Sequence, residues 1–134
     1  MKLSTRGRYG LRSLLYLEEQ GESQPVSLAS IASAEGLSEK YLERMFSGFL
    51  KKGLVKSIRG AGGGYFLKKN AEDITVLDII EAIEGPVNLV NCEKNHKCKG
   101  RDKCIASRVW ENASDVLRKE FASHNIAELK KGAI

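Results

Sequence analysis

The chain has 134 residues, 42% of them hydrophobic and 29% charged, and carries a formal net charge of +5. This length and composition fit one globular domain, or one domain with an appended helix that needs a partner to cover it. No apolar run is long enough to cross a bilayer and the opening Met1-Lys2-Leu3-Ser4-Thr5-Arg6 lacks a signal peptide's apolar stretch, so a cytoplasmic protein without membrane contact is expected.

The positive charge is unevenly spread. Residues 1–69 hold 12 Lys and Arg against 6 Asp and Glu, whereas residues 70–134 hold 10 against 11. The basic half is therefore the half expected to face phosphates.

Leu11, Leu14, Leu15 and Leu17 predict a first helix from about Thr5 to Glu19, broken by Gly21-Glu22-Ser23-Gln24-Pro25. Ser27 is a good N-cap for a short second helix through Leu28, Ile31 and Ala32. Gly36 supplies a tight turn, and Ser38 caps a third helix from about Glu39 to Lys52. Its apolar stripe is Leu42, Met45, Phe46, Phe49 and Leu50, and Gly53 ends it. Two β-prone runs, Leu54 to Arg59 and Tyr65 to Leu67, flank Gly60-Ala61-Gly62-Gly63-Gly64 and predict a hairpin. Asp73 and Thr75 introduce a fourth helix with Val76, Leu77, Ile79, Ile80 and Ile83 on its apolar face, ending at Gly85-Pro86. A polar, basic loop over 87–103 precedes a long amphipathic helix from about Cys104 to His124. A short turn or helix from Ile126 to Leu129 closes the chain.

Two short helices around a glycine turn, followed by a hairpin, is the order of a winged helix-turn-helix. The fold expected is mainly α with a small β-hairpin wing and a long C-terminal helix. Ser38, Lys40, Tyr41, Glu43, Arg44 and Ser47 are the candidate DNA contacts on the third helix, with Arg59, Gly60 and Gly62 on the wing. Exposed charges on a helix are by themselves only a solvated face, and a glycine run can be a plain mobile turn; their order together points to a reader of double-stranded DNA. The glycine run is no nucleotide cradle, since neither a Lys-Ser/Thr pair nor a helix follows it directly. With two histidines and no nucleophile motif, no enzyme is expected.

Cys92, Cys98 and Cys104 are spaced C-x5-C-x5-C. An odd count in a reducing compartment argues against disulfides, and clustering on a polar loop argues against inert core thiols. Zinc favours shorter Cys pairs, whereas evenly spaced thiolates on an open loop suit an iron–sulfur cluster. Lys94, Lys97, Lys99, Arg101 and Lys103 would offset a cluster's negative charge. Zinc and redox-active thiols remain the other readings, and Ser107 or His96 are candidates for a fourth ligand, with Asp102 and Glu93 beyond them.

The sequence resembles the Rrf2 family of bacterial regulators over nearly its whole length. The resemblance rests on Met1 to Leu11, on Gly36-Leu37-Ser38 with Tyr41-Leu42-Glu43, on Gly53-Leu54-Val55, and on Ser57 to Tyr65. The three-cysteine spacing and Trp110 also match. It implies a homodimer joined through the long helix, here Ile105, Val109, Trp110, Ala113, Val116, Leu117 and Phe121, on two-fold related operator sites. It further implies a [2Fe–2S] cluster supplied by iron–sulfur assembly proteins and a response to iron–sulfur status, oxidants or nitric oxide. Cluster-binding members place a histidine three residues after the last cysteine, where this chain has Ser107. Nitric-oxide-sensing members use an acidic residue where this chain has Arg8. Members of the family also use the residue matching Glu43 to choose between operator classes. The organisation expected is a DNA-binding domain at 1–85, a cluster-binding loop at 86–104, and a dimerisation helix and tail at 105–134; a regulator switched by thiol oxidation, zinc or a partner protein, without a cluster, is the alternative.

Overall fold

The helices start where an oxygen-bearing side chain satisfies an otherwise orphaned amide. In the computed structural model, which describes residues 2–91, 100 and 103–132, α1 (Thr5–Glu19) begins at Ser4, whose hydroxyl accepts from the Gly7 amide. α2 (Leu28–Glu35) begins at Ser27, and α3 (Glu39–Lys51) at Ser38. α4 (Val76–Glu84) opens on a capping box in which Thr75 and Asp78 serve each other's amides. A single 3-10 turn, Ala71–Asp73, lies just before it, so Asp73 belongs to the approach and Thr75 alone caps. α5 (Ile105–Ala122) follows Cys104, and α6 (Ile126–Lys130) is capped by Asn125.

The turn between α2 and α3 is set by Gly36, whose φ of 66° is left-handed backbone that glycine adopts at little cost. After α3 the chain forms a two-stranded antiparallel hairpin, β1 (Val55–Ile58) and β2 (Gly64–Leu67), with Val55 opposite Leu67 and Ile58 opposite Gly64. Val26, in the α1–α2 connection, exchanges both backbone hydrogen bonds with Tyr65, at 3.0 and 2.8 Å. The wing is thereby bonded to the strand that enters the helix-turn-helix. A Cβ on Gly64 would lie 2.4 Å from the Val26 backbone, so this approach requires glycine.

One core holds these parts together. Leu14 and Leu17 of α1, Ile31 of α2, and Leu42, Met45, Phe46 and Phe49 of α3 are buried with Leu54, Val55, Ile74, Ile79 and Ile126. Leu50, expected in the α3 stripe, is exposed. It falls about 80° around the helix from Leu42, at the edge of the stripe. Ile126 brings α6 into this same core, and Thr75 and Asn125 are joined by a backbone bridge. A second cluster lies beyond α4, where Val76, Ile80 and Val87 pack with Leu3, Leu11, Leu77, Leu117, Phe121 and Leu129. No helix among the described residues is long and apolar enough to cross a membrane.

Gly64→Ala should push β2 off Val26 and lower stability by about 1–3 kcal/mol, the usual range for overpacking. Urea unfolding would register a lower midpoint at unchanged slope; an unshifted midpoint would show that the Val26–Tyr65 bridge yields without cost.

Candidate nucleic-acid interface

Burial of Leu42, Met45, Phe46 and Phe49 turns the other side of α3 to solvent, and Lys40, Glu43, Arg44 and Ser47 are all exposed there. Ser38 is exposed too, its hydroxyl accepting from the Tyr41 amide at 3.1 Å. Tyr41 is half-buried against the core. Ser38, Lys40, Tyr41 and Arg44 together line a shallow hollow of about 220 Å³. Arg59, Gly60 and Gly62 are exposed at the hairpin's connection, where a hydrogen bond from Gly63 to the Gly60 carbonyl tightens the turn. This glycine run is a shaped turn seated on Val26 rather than slack chain.

The wing sits directly behind α3. The Tyr65 ring packs on Phe46 with centroids 4.7 Å apart. Burial, and secondarily the Glu43 carboxylate, push the Tyr65 phenol above its ordinary pKa. Glu43 thus has an electrostatic partner that the hydrophobic pattern did not indicate.

Two further cations belong here that sequence reasoning omitted from the site. Arg6, in the first turn of α1, and Lys51, at the end of α3, join Arg44 and Ser47 around a second hollow. The basic excess in residues 1–69 was the available signal. It could not say which cations the fold would gather.

Of the three cysteines, only Cys104 lies among the described residues; Cys92, His96 and Cys98 lie outside them, as do Glu93, Lys94, Lys97, Lys99, Arg101 and Asp102. Cys104 is exposed, its thiol is free, and it occupies the N-cap of α5. Ser107 is buried and its hydroxyl donates to the Cys104 carbonyl at 2.7 Å. Among the described residues no group of three or more His, Cys, Asp and Glu side chains is positioned to hold a metal.

The segment leading towards the cysteines is clamped between α4 and α5. Glu81 accepts from the Val87 amide at 3.2 Å, and Ser114, fully buried, accepts from the Leu89 amide at 3.0 Å. Arg118 donates to the Val87 carbonyl and to Asn88 Oδ1, and its other terminal nitrogen pairs with Asp115. Nothing in the sequence distinguished Arg118 from a solvated helix charge.

The seven residues expected at a dimer interface divide between two sides of α5. Ile105, Val109 and Val116 lie within about 40° of one another and are 80%, 54% and 66% exposed. Leu117 and Phe121 lie about 120–160° from Ile105 and pack into the chain's own second cluster. Ala113 is half-buried, and Trp110 remains 44% exposed.

A family model for Rrf2, described as an iron-dependent transcriptional regulator, matches residues 3–132. The HTH-type transcriptional regulator IscR of Photorhabdus laumondii is 37% identical over 129 residues, covering 96% of this chain and 79% of that protein. CymR, the global cysteine regulator of B. subtilis, is 37% identical with a TM-score of 0.78, over 98% of this chain and 97% of that one. IscR of T. potens is 36% identical with a TM-score of 0.78, over 100% and 89% of the two chains. These relatives carry regulators' names rather than enzymes', and the two solved structures share this fold over nearly the whole chain. The chain therefore belongs to the Rrf2 family, as a winged-helix, DNA-binding transcription regulator of the IscR type.

Proposed function

We propose that the protein works as a cytoplasmic homodimer on two-fold related operator sites, and that a [2Fe–2S] cluster held by Cys92, Cys98 and Cys104 tunes operator choice or affinity. The observation that carries this reading is the position of Cys104. It starts the helix whose outer face is bare and apolar and whose inner face packs on α4. An exposed sulfur donor there suits a soft-metal ligand. A bound cluster would supply iron–thiolate bonds that respond to oxidants and to iron supply. Iron–sulfur assembly proteins would be its donors. Ser107 is poorly placed as fourth ligand, because it is buried and its proton is committed to the Cys104 carbonyl; His96 is the better candidate.

In this reading residues 1–85 read DNA, 86–104 carry the cluster and 105–134 hold the dimer. Ile105, Val109 and Val116 form the face that a second copy would cover, with the part-exposed Trp110 at its far edge. Two α3 helices then enter successive major grooves about one helical turn apart, with Lys40, Arg44 and Ser47 at phosphates or base edges and Arg59 at the minor groove or a phosphate. Cluster binding by 92–104 would act on α4 and α5 through the Val87–Leu89 clamp.

The exposed thiol of Cys104 and the likeness to a cysteine regulator favour one second reading, a thiol switch without a cluster. Anaerobic purification with iron and sulfide counts separates the two. About two iron and two sulfide per chain, with thiolate-to-iron absorption in the visible, are expected. A colourless protein that resists anaerobic reconstitution would reject the cluster and leave the thiol switch.

Val116→Asp should shift the protein towards monomer in sedimentation while leaving its helix content intact, because Val116 makes no part of the internal clusters. An unchanged sedimentation coefficient would place the dimer contact elsewhere.

Glu43→Ala should relax sequence choice more than it weakens binding, since removing a carboxylate near base edges lifts a local repulsion. Affinities for single-base operator variants should converge by about tenfold, within the 1–3 kcal/mol that a good base contact discriminates. In the same variant the Tyr65 phenol should titrate nearer to a free tyrosine, without reaching it, because burial is the larger cause of its shift. Uniform weakening on every sequence would reject the selecting role.

A further inference from the structure

The second hollow beside α3 is built from three elements and occupies about 210 Å³. Its rim carries Arg6 from α1 and Arg44, Ser47 and Lys51 from α3, while Gly48, Ala82 and Ile83 contribute to its floor. Arg44, Ser47 and Lys51 follow at three- and four-residue steps along one side of the helix. Gly48 lets α3 and α4 approach closely, for a Cβ there would lie 2.8 Å from the Ala82 carbonyl. The position of Arg6 is fixed as well. The Ser4 amide and hydroxyl both donate to Glu84 Oε1, tying the first turn of α1 to the last turn of α4.

Three cations therefore converge on one concavity. Among the described residues none of Arg6, Arg44 and Lys51 forms an ion pair. Such a gathering of like charge without a direct ion pair costs electrostatic energy and is relieved by an anion. Arg44 also lines the other hollow, with Ser38, Lys40 and Tyr41. The exposed side of α3 is thus flanked by two basic hollows, and a helix in a major groove is flanked by two phosphate backbones.

We propose that the hollow between α1, α3 and α4 is a phosphate-binding site that takes one backbone phosphate of the operator, making Arg6 a DNA contact outside the helix-turn-helix. The proposal rests on α3 lying in the groove and is independent of the cysteines, so it can be measured on metal-free protein. Arg6 is exposed and lies outside both apolar clusters, and its removal should leave the fold intact.

The experiment is a salt titration of duplex binding by wild type, Arg6→Ala, Lys51→Ala and Arg44→Ala, on an operator and on an unrelated duplex. Arg6→Ala should lower the slope of log affinity against log salt by about 0.9, the value of one phosphate contact. The gap from wild type should then narrow about three- to fourfold between 50 and 200 mM salt, equally on both duplexes. Replacing the contacted phosphate by a neutral methylphosphonate should weaken wild type more than Arg6→Ala, in which Arg44 and Lys51 still face it. An unchanged slope in Arg6→Ala beside a reduced slope in Arg44→Ala would overturn the proposal alone, whereas no effect of Arg44→Ala would overturn the placement of α3. Loss of affinity by one factor at every salt concentration would make Arg6 a structural residue and also overturn it. Saturable calorimetric binding of inorganic phosphate, abolished by Arg6→Ala with DNA binding intact, would assign the hollow to a soluble phosphate compound instead.

Discussion

Everything on the DNA-facing side depends on how α3 is buried. Leu42, Met45, Phe46 and Phe49 enter a core shared with α1, α2, the wing and α6. Each such burial is worth about 1.5–3 kcal/mol, against a total stability of roughly 5–15 kcal/mol for a domain. The helix consequently has one stable rotation about its axis, which leaves Lys40, Glu43, Arg44 and Ser47 outside. Phe46 does this twice over. It contacts Phe49 edge-on within its own helix, and it receives Tyr65 from the wing. The recognition face and the wing are thus oriented by a shared aromatic contact, and Glu43 lies within electrostatic reach of the tyrosine that makes it.

Local signals account for what the sequence revealed. Ser27, Ser38 and Thr75 act on amides three residues ahead, and Gly36 permits a backbone conformation that other residues resist. Such features are written within four residues, so the element order and the exposed face of α3 were readable. The glycine run was harder. Its composition permits a slack turn, and only the approach of Val26, nearly forty positions away in sequence, makes Gly64 a packing requirement. The apolar pattern of α5 was less legible for a different reason. A helix with two apolar sides reads as one broad stripe until the chain's own partners claim Leu117 and Phe121. Arg6 and Arg118 were illegible as site and clamp, since a long cation acquires a role only through residues far off in sequence.

α5 is tied to the DNA-binding half at its C-terminal end and again near its middle. Its C-terminal end is fixed, because Ile126 lies in the main core, its amide donates to the Ile74 carbonyl, and the Val76 amide donates to the His124 carbonyl. Near its middle the helix holds the Val87–Leu89 segment through Ser114 and Arg118. Its start is the exposed Cys104. The helix is roughly 27 Å long at the usual rise, anchored at one end and tied to the cysteine approach part-way along. A change in what Cys104 binds would act at the opposite end of this helix from its anchor in the main core.

α4 is the fulcrum for any such change. Ile79 faces the main core, while Val76 and Ile80 face the cluster that receives α5. Its last turn bears Glu84, which holds Ser4 and so the start of α1, and Gly85 and Pro86 follow immediately on the path to the cysteines. A shift of α5 against Val76 and Ile80 cannot be absorbed by compressing α4, because packed interiors resist compression. Movement of α4 against α1 and α3 would carry it to where Ala82 and Ile83 border Arg6, Arg44 and Lys51. In the proposed cluster-sensing reading, the contacts that position the basic hollow are the ones through which binding at the cysteines would reach DNA.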